Sequence, residues 1–183
     1  MRSYKTEGII LKRRNLGEAD RILTVLSKNN GKIQIKAPGV RRITSRRSSH
    51  IELLNFSELT LYRTSSSFLP TLTEAHTIED FSIIKSNLEK IGYAYYICEL
   101  TNGLCPERQE NREVFSLLKA TLRELCDSLD SKKVVKYFEK ELLSNLGYWL
   151  EASLLRTRDS GGVMERILER KLKTSRLIHL FIS

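Results

Sequence analysis

The sequence predicts an α+β protein, with a small five-stranded barrel over residues 1–79 followed by an all-helical domain over residues 80–183. Two observations support this prediction. Up to about residue 79, apolar and polar residues alternate in five short runs, whereas from Asp80 onward the apolar residues recur every three or four positions. The charge is divided as well, because residues 1–50 hold 13 Lys or Arg and three acidic residues, while residues 51–80 carry a net charge of −4.

Five runs bounded by turn-forming residues define the predicted strands, at 6–13, 21–27, 32–37, 56–62 and 69–78. Asn29-Asn30-Gly31 predicts a hairpin between the second and third strands. In the third strand, Ile33 and Ile35 are expected to face inward, whereas Lys32, Gln34 and Lys36 are expected to face outward. In the fourth, Phe56, Leu59 and Leu61 are expected inward, with a bulge where the alternation breaks between Glu58 and Leu59. Such a set favours a closed OB-fold barrel, whose loops and one face bind single-stranded nucleic acid.

Four apolar patterns of helical period follow, spanning residues 83–100, 114–125, 134–146 and 164–177. Gly147 is expected to end the third helix, and Gly161-Gly162 to precede the last one. The three cysteines, Cys98, Cys105 and Cys126, form no CxxC pair, which argues against a disulfide framework and against a complete zinc ribbon.

Several functional classes find no support in the sequence. No apolar run approaches the ~20 residues of a membrane-spanning helix, and the amino terminus lacks the apolar stretch of a secretory signal, so a cytoplasmic location is expected. No phosphate-binding GxxxxGK loop, GxSxG nucleophile elbow or HExxH metal motif occurs. We therefore expect a non-enzymatic protein and predict no cofactor and no metal site.

The most informative segment is a polar, basic loop after the third strand. Pro38 and Gly39 end that strand, and four arginines follow within eight residues. Arginine suits phosphate because its planar guanidinium donates two parallel hydrogen bonds and stays charged. Together with cations at neighbouring strand ends, this loop gives the candidate nucleic-acid contacts Lys12, Arg13, Arg14, Lys36, Arg41, Arg42, Arg46 and Arg47. Tyr4, Tyr62 and Phe68 are candidates for base stacking, with core packing or a plain turn as the alternative for each.

An ordered series of segments resembles RecO proteins, a family of bacterial recombination mediators. The series covers nearly the whole chain and consists of EGIILKRR at 7–14, GEADRILT at 17–24, GKI at 31–33, PGVRR at 38–42, LTLY at 59–62, LTEA at 72–75, ELL at 141–143, LGY at 146–148 and LKTSRL at 172–177. Many members carry a four-cysteine zinc module after the Leu-Gly-Tyr element. Here no cysteine occurs between Trp149 and Gly161, so the chain resembles a shortened form without that module.

The resemblance implies binding of single- and double-stranded DNA, annealing of complementary strands and help in loading RecA. The implied partners are RecR and the acidic C-terminal tail of single-strand-binding protein, with RecA engaged indirectly, and the implied location is the bacterial cytoplasm near the nucleoid. Three alternatives remain from the residues themselves. They are an RNA-binding OB-fold protein, a nuclease that uses Glu18 and Asp20 with a divalent ion, and an adaptor that contacts only protein.

Overall fold

Five strands form a closed barrel in the computed structural model, which describes residues 2–65, 67–148, 150, 153 and 160–174. They are β1 (Arg2–Leu16), β2 (Asp20–Ser27), β3 (Gly31–Ala37), β4 (Phe56–Arg63) and β5 (Thr71–Glu79). Their order around the barrel is β1-β2-β3-β5-β4, and every pairing is antiparallel except the short parallel contact between β3 and β5. The predicted α+β class, with an OB-like five-stranded ring followed by helices, is confirmed.

The barrel core follows from the alternation in the sequence. Ile33 and Ile35 both belong to the buried core cluster, as predicted, together with Leu59 and Leu61. Phe56 is buried but lies outside that cluster. The bulge predicted between Glu58 and Leu59 is wrong, because the register of β4 with β5 shifts between Phe56 and Ser57 and between Thr60 and Leu61.

Five helices are described after the barrel: α1 (Ser82–Ser86), α2 (Leu88–Leu104), α3 (Arg112–Asp127), α4 (Ser131–Asn145) and α5 (Ser160–Leu168). The first predicted helix is broken at Asn87, whose backbone is extended and whose side chain caps α2 by accepting from the Lys90 amide. The break leaves Ile83 and Leu88 exposed rather than buried. Among the described helices, none combines the length and the apolar composition that spanning a bilayer requires.

The helix ends follow ordinary capping rules, with one correction. Gly147 follows α4 with φ of 88°, a left-handed conformation that suits glycine after a helix, as predicted. Gly161 and Gly162 lie in the first turn of α5 rather than ahead of it. Residues 175–183, where the predicted last helix continues to Leu177, and most of the stretch from Trp149 to Gly161 lie outside the described residues.

The described chain divides into two compact units. The first comprises Met1–Asp80 together with Pro106–Arg112, and the second comprises Phe81–Cys105 with Glu113–Ser183. The segment between α2 and α3, together with Arg112 at the start of α3, therefore packs on the barrel, where the Arg108 amide donates to the Lys32 carbonyl at 2.8 Å. Lys32 was expected to face solvent on a cationic strand face, but its exposed fraction is only 8%.

Candidate nucleic-acid interface

Three of the predicted cations project from one outer side of the barrel. The strand register places Lys12 opposite Thr24, and Arg14 opposite Ile22, which itself lies opposite Lys36. Residues that face each other across a sheet project from the same side of it. Lys12 and Arg14 are thus about 7 Å apart along β1, and Arg14 and Lys36 are about 10 Å apart across two strand spacings.

A bulge in β1 sets this orientation. The register of β1 with β2 shifts between Ile10 and Lys12, so Leu11 is an extra residue in the strand. Ile10 and Leu11 are consecutive yet both buried, at 0% and 6% exposed. Since a bulge resets the two-residue alternation, Lys12 and Arg14 face outward while Arg13 does not.

The start of the basic loop is fixed by Asp20, the first residue of β2. Its carboxylate accepts a hydrogen bond from the Gly39 amide at 2.8 Å and lies 3.3 Å from the Lys36 ammonium. The hydrogen bond from the Gly39 amide has the largest effect on the pKa of Asp20 and lowers it, and the Lys36 ammonium lowers it further. Together they outweigh desolvation, which raises this pKa. Gly39 has φ of 67°, which a residue with a Cβ rarely adopts. Asp20, which sequence analysis considered as part of a nuclease pair with Glu18, instead positions the loop.

Arginines of the basic loop, residues 38–48, differ in how they are held. Arg41 is anchored to the β1–β2 turn, because its amide donates to the Ala19 carbonyl at 2.9 Å and its guanidinium donates to the Gly17 carbonyl at 2.8 Å. Arg42 is exposed and lowers the pKa of Asp20 through its charge. Arg46 is exposed, and its side chain forms no hydrogen bond or ion pair with another described residue.

Arg47, the neighbour of Arg46, has a structural position. Its guanidinium donates to the carbonyl oxygens of Leu72 and Pro38, each at 2.8 Å, and it is only half-exposed. These two bonds tie the far end of the basic loop to β5 and to the end of β3. The side chain therefore braces the loop, and its bidentate capacity is already used.

Arg13 is also held by the protein. It lies opposite Leu23, a core residue, and it forms a salt bridge with Glu52, which also lies 3.7 Å from Arg21. The side chain of Arg13 is 20% exposed. This pairing compensates much of the charge that sequence analysis assigned to a phosphate contact.

The strand register brings Lys12, Arg14 and Lys36 to one outer side of the barrel, and Arg41 and Arg42 of the adjoining loop lie near Gly17 and Asp20. Arg46 belongs to the same loop and is exposed. We call this set of cations on the barrel and its loop the basic face; it consists of Lys12, Arg14, Lys36, Arg41, Arg42 and Arg46. Within the described residues, the side chains of Lys12, Arg14 and Arg46 have no hydrogen-bond or ion-pair partner. Charged groups held on a rigid scaffold without protein partners are suited to an external polyanion.

Further cations near an aromatic side chain were missed by sequence analysis. Arg63 ends β4, and Arg108 belongs to the segment that packs on the barrel. Arg108 lies over the ring of Phe68, which is 80% exposed, whereas Tyr4 and Tyr62 are half-buried. No sequence signal links Arg108 to residues 40 positions earlier. Among the described residues, no group of three or more His, Cys, Asp or Glu is placed to hold a metal ion.

Comparisons with family models and with curated proteins point to the same family. A family model described as Recombination protein O N terminal matches residues 1–81, and one described as Recombination protein O C terminal matches residues 85–153. A DNA repair protein RecO of Dehalococcoides mccartyi is 41% identical over 145 residues, which are 79% of this chain and 56% of that protein. The DNA repair protein RecO of Pelotomaculum thermopropionicum is 36% identical over 148 residues, or 81% of this chain and 57% of that protein. The chain spans about half the length of the curated relatives it matches.

Proposed function

The chain belongs to the RecO family of DNA repair and recombination proteins, and on that premise we propose that its basic face binds single- and double-stranded DNA and anneals complementary strands. The observation that carries the proposal is that Lys12, Arg14 and Lys36 project from one outer side of the barrel, next to a loop with three exposed arginines. Within the described part of the chain, the side chains of Lys12, Arg14 and Arg46 have no hydrogen-bond or ion-pair partner. Family membership also agrees with the expectation of a non-enzymatic protein.

The proposed mechanism is electrostatic. Two single strands repel each other through their phosphates, and a surface that neutralises both backbones lowers the barrier to pairing. Annealing of this kind needs positioned charge and no reacting side chain. Six phosphate contacts correspond to a slope of about −4 when the logarithm of the association constant for a single strand is plotted against the logarithm of salt concentration.

The basic face can be tested with a triple variant, R41A/R42A/R46A. Each change removes an exposed cation of the loop, so we expect the slope on single-stranded DNA to fall from about −4 to about −2. Fluorescence anisotropy with labelled oligonucleotides over a salt series measures this slope. A matched control, K132A/K136A/K140A, removes three exposed cations from α4 and leaves the basic face intact. Equal losses in both triple variants would contradict a localised DNA surface.

Matched DNA and RNA oligonucleotides in the same competition experiment address the RNA-binding alternative. A DNA mediator should bind DNA at least as tightly as RNA of the same sequence. Consistent preference for RNA would overturn the DNA assignment while leaving the basic face as a nucleic-acid surface.

The proposed partners come from the family and not from a contact described in this chain. They are RecR, the acidic C-terminal tail of single-strand-binding protein and, indirectly, RecA during its loading, with action in the bacterial cytoplasm near the nucleoid. An acidic tail would find complementary charge on a chain of net charge +9. Co-elution of the purified chain with RecR in size-exclusion chromatography tests the first partner. Absence of co-elution at low salt would remove RecR from the proposal.

A further inference from the structure

An exposed aromatic ring next to a guanidinium lies on the barrel apart from the basic face. Phe68, in the loop between β4 and β5, is 80% exposed. The guanidinium carbon of Arg108 lies 5.3 Å from the centre of its ring, and one Arg108 nitrogen donates to the Phe68 carbonyl at 3.3 Å. The exposure of Phe68 leaves its ring open to solvent, so the ring is accessible for a base to stack on it.

Arg108 is held in place by the backbone. Its φ is 58°, in the left-handed region that costs an ordinary side chain about 1–2 kcal/mol, and its amide donates to the Lys32 carbonyl at 2.8 Å. The neighbouring segment fits closely against the β2–β3 turn, since a Cβ on Gly31 would come within 1.9 Å of the Gln109 carbonyl oxygen. The barrel thus imposes a strained conformation that points this arginine at Phe68, and strain of this kind clusters at binding sites.

A cleft adjoins Arg108. Its volume is about 270 Å³, and its lining includes Arg108, Arg63, Tyr4, Asn29 and Gln34. The Gln34 amide already donates to the Glu107 carboxylate at 2.8 Å. Glu110 also lines it, but this carboxylate forms an ion pair with Arg112 at 2.6 Å. Guanidinium groups suit a phosphate, the amide of Asn29 suits the polar edge of a base, and an aromatic ring suits the flat face of a base.

We propose that this Phe68–Arg108 site binds one unpaired nucleotide of a single strand. The base stacks on the open face of Phe68, and Arg63 and Arg108 take the adjoining phosphates. Bases of an intact duplex are already stacked on each other, so the site distinguishes single strands from duplexes. The inference rests on the proposed DNA binding and extends it.

The position of the site allows one strand to reach the basic face as well. Arg108 is anchored at Lys32, near the start of β3, and Lys36 of the basic face lies four residues further along the same strand. Four residues of β-strand span about 13 Å, a distance that a few nucleotides cover.

The test compares F68A with F68W in the full chain. We expect F68A to weaken binding of a single strand by roughly 5- to 150-fold, which corresponds to about 1–3 kcal/mol per stacked base, and F68W to retain it. The salt slope should stay unchanged because no charge is removed. Binding of a blunt duplex of the same sequence should change less than twofold. I78A, which truncates another exposed apolar side chain of the barrel, is the matched control and should bind both DNAs normally.

The outcomes are distinct. Equal loss on single strands and duplexes, or no loss on either, contradicts the stacking site while the basic face remains supported by its own variants. Failure of the unaltered chain to bind any DNA contradicts the proposed function and, with it, the stacking site. Unchanged thermal midpoints of F68A and F68W, which the exposure of Phe68 leads us to expect, exclude misfolding as the cause of a loss.

Discussion

Arg46 and Arg47 are chemically identical neighbours that the structure assigns to different tasks. Arg47 donates two hydrogen bonds of 2.8 Å to backbone carbonyls, whereas the side chain of Arg46 is exposed and makes no polar contact with a described residue. A hydrogen bond from a charged group contributes about 1.5–3 kcal/mol, and partial exposure of Arg47 reduces the sum of the two. We therefore expect R47A to lower the free energy of unfolding of the barrel unit by about 2–3 kcal/mol.

In a domain the size of the barrel unit, this change lowers the melting midpoint by roughly 8–24 °C. R47K should also destabilise, because an ammonium group cannot reproduce two parallel bonds from a planar fork, yet it keeps the charge. R46A should leave the midpoint within about 1 °C and instead reduce the salt slope on single-stranded DNA by about 0.7.

Thermal unfolding followed by circular dichroism and anisotropy titrations over salt measure the two effects on the same preparations. A stable R47A with a reduced salt slope, or a destabilised R46A, would refute the division of tasks. The first result would show that the guanidinium of Arg47 is available to phosphate, and the second would show that Arg46 has a structural role.

Two further predictions concern stability. Gly31→Ala should release residues 106–112 from the barrel, because φ of residue 31 is 63° and the new Cβ would clash with the Gln109 carbonyl. The rate of hydrogen exchange at the Arg108 amide should then rise at least tenfold, and an unchanged rate would contradict the close fit. Glu99 is desolvated, but hydrogen bonds from Arg170 and Thr174 outweigh that effect and lower its pKa to about 2 from the ordinary 4.5. The ionised Glu99 carboxylate should stabilise the fold by about 1–3 kcal/mol after solvent screening, fully above pH 4.5 and progressively less as pH falls toward 2. In urea unfolding, the free energy of unfolding of E99Q should therefore be lower than that of the unaltered chain at pH 7, and the two values should converge at low pH. A difference independent of pH would refute it.

The barrel was predictable because its signals are local. Alternation placed Ile33 and Ile35 in the core, and Asn29-Asn30-Gly31 gave the hairpin between β2 and β3. The helix pattern over 83–100 was misleading at its start, since apolar spacing alone does not reveal that Asn87 caps a new helix.

The candidate site was only partly predictable for a physical reason. The sequence shows that the cations are clustered along the chain, but the orientation of Lys12 and Arg14 depends on a bulge at Leu11 that shifts the alternation in β1. Partners distant in sequence, such as Glu52 for Arg13 and the Leu72 carbonyl for Arg47, then decide which cations are available. Arg108 joins Phe68 across 40 residues through tertiary packing, which a pattern of residue types does not encode.

Strand annealing tests the central role of the basic face most directly. Complementary oligonucleotides carrying a fluorophore and a quencher should pair faster with the unaltered chain than without protein, and the gain should shrink as salt rises. R41A/R42A/R46A should lose most of the acceleration, while K132A/K136A/K140A should retain it. Salt-independent annealing, or full acceleration by the variant that lacks the loop arginines, would contradict the role proposed for this surface.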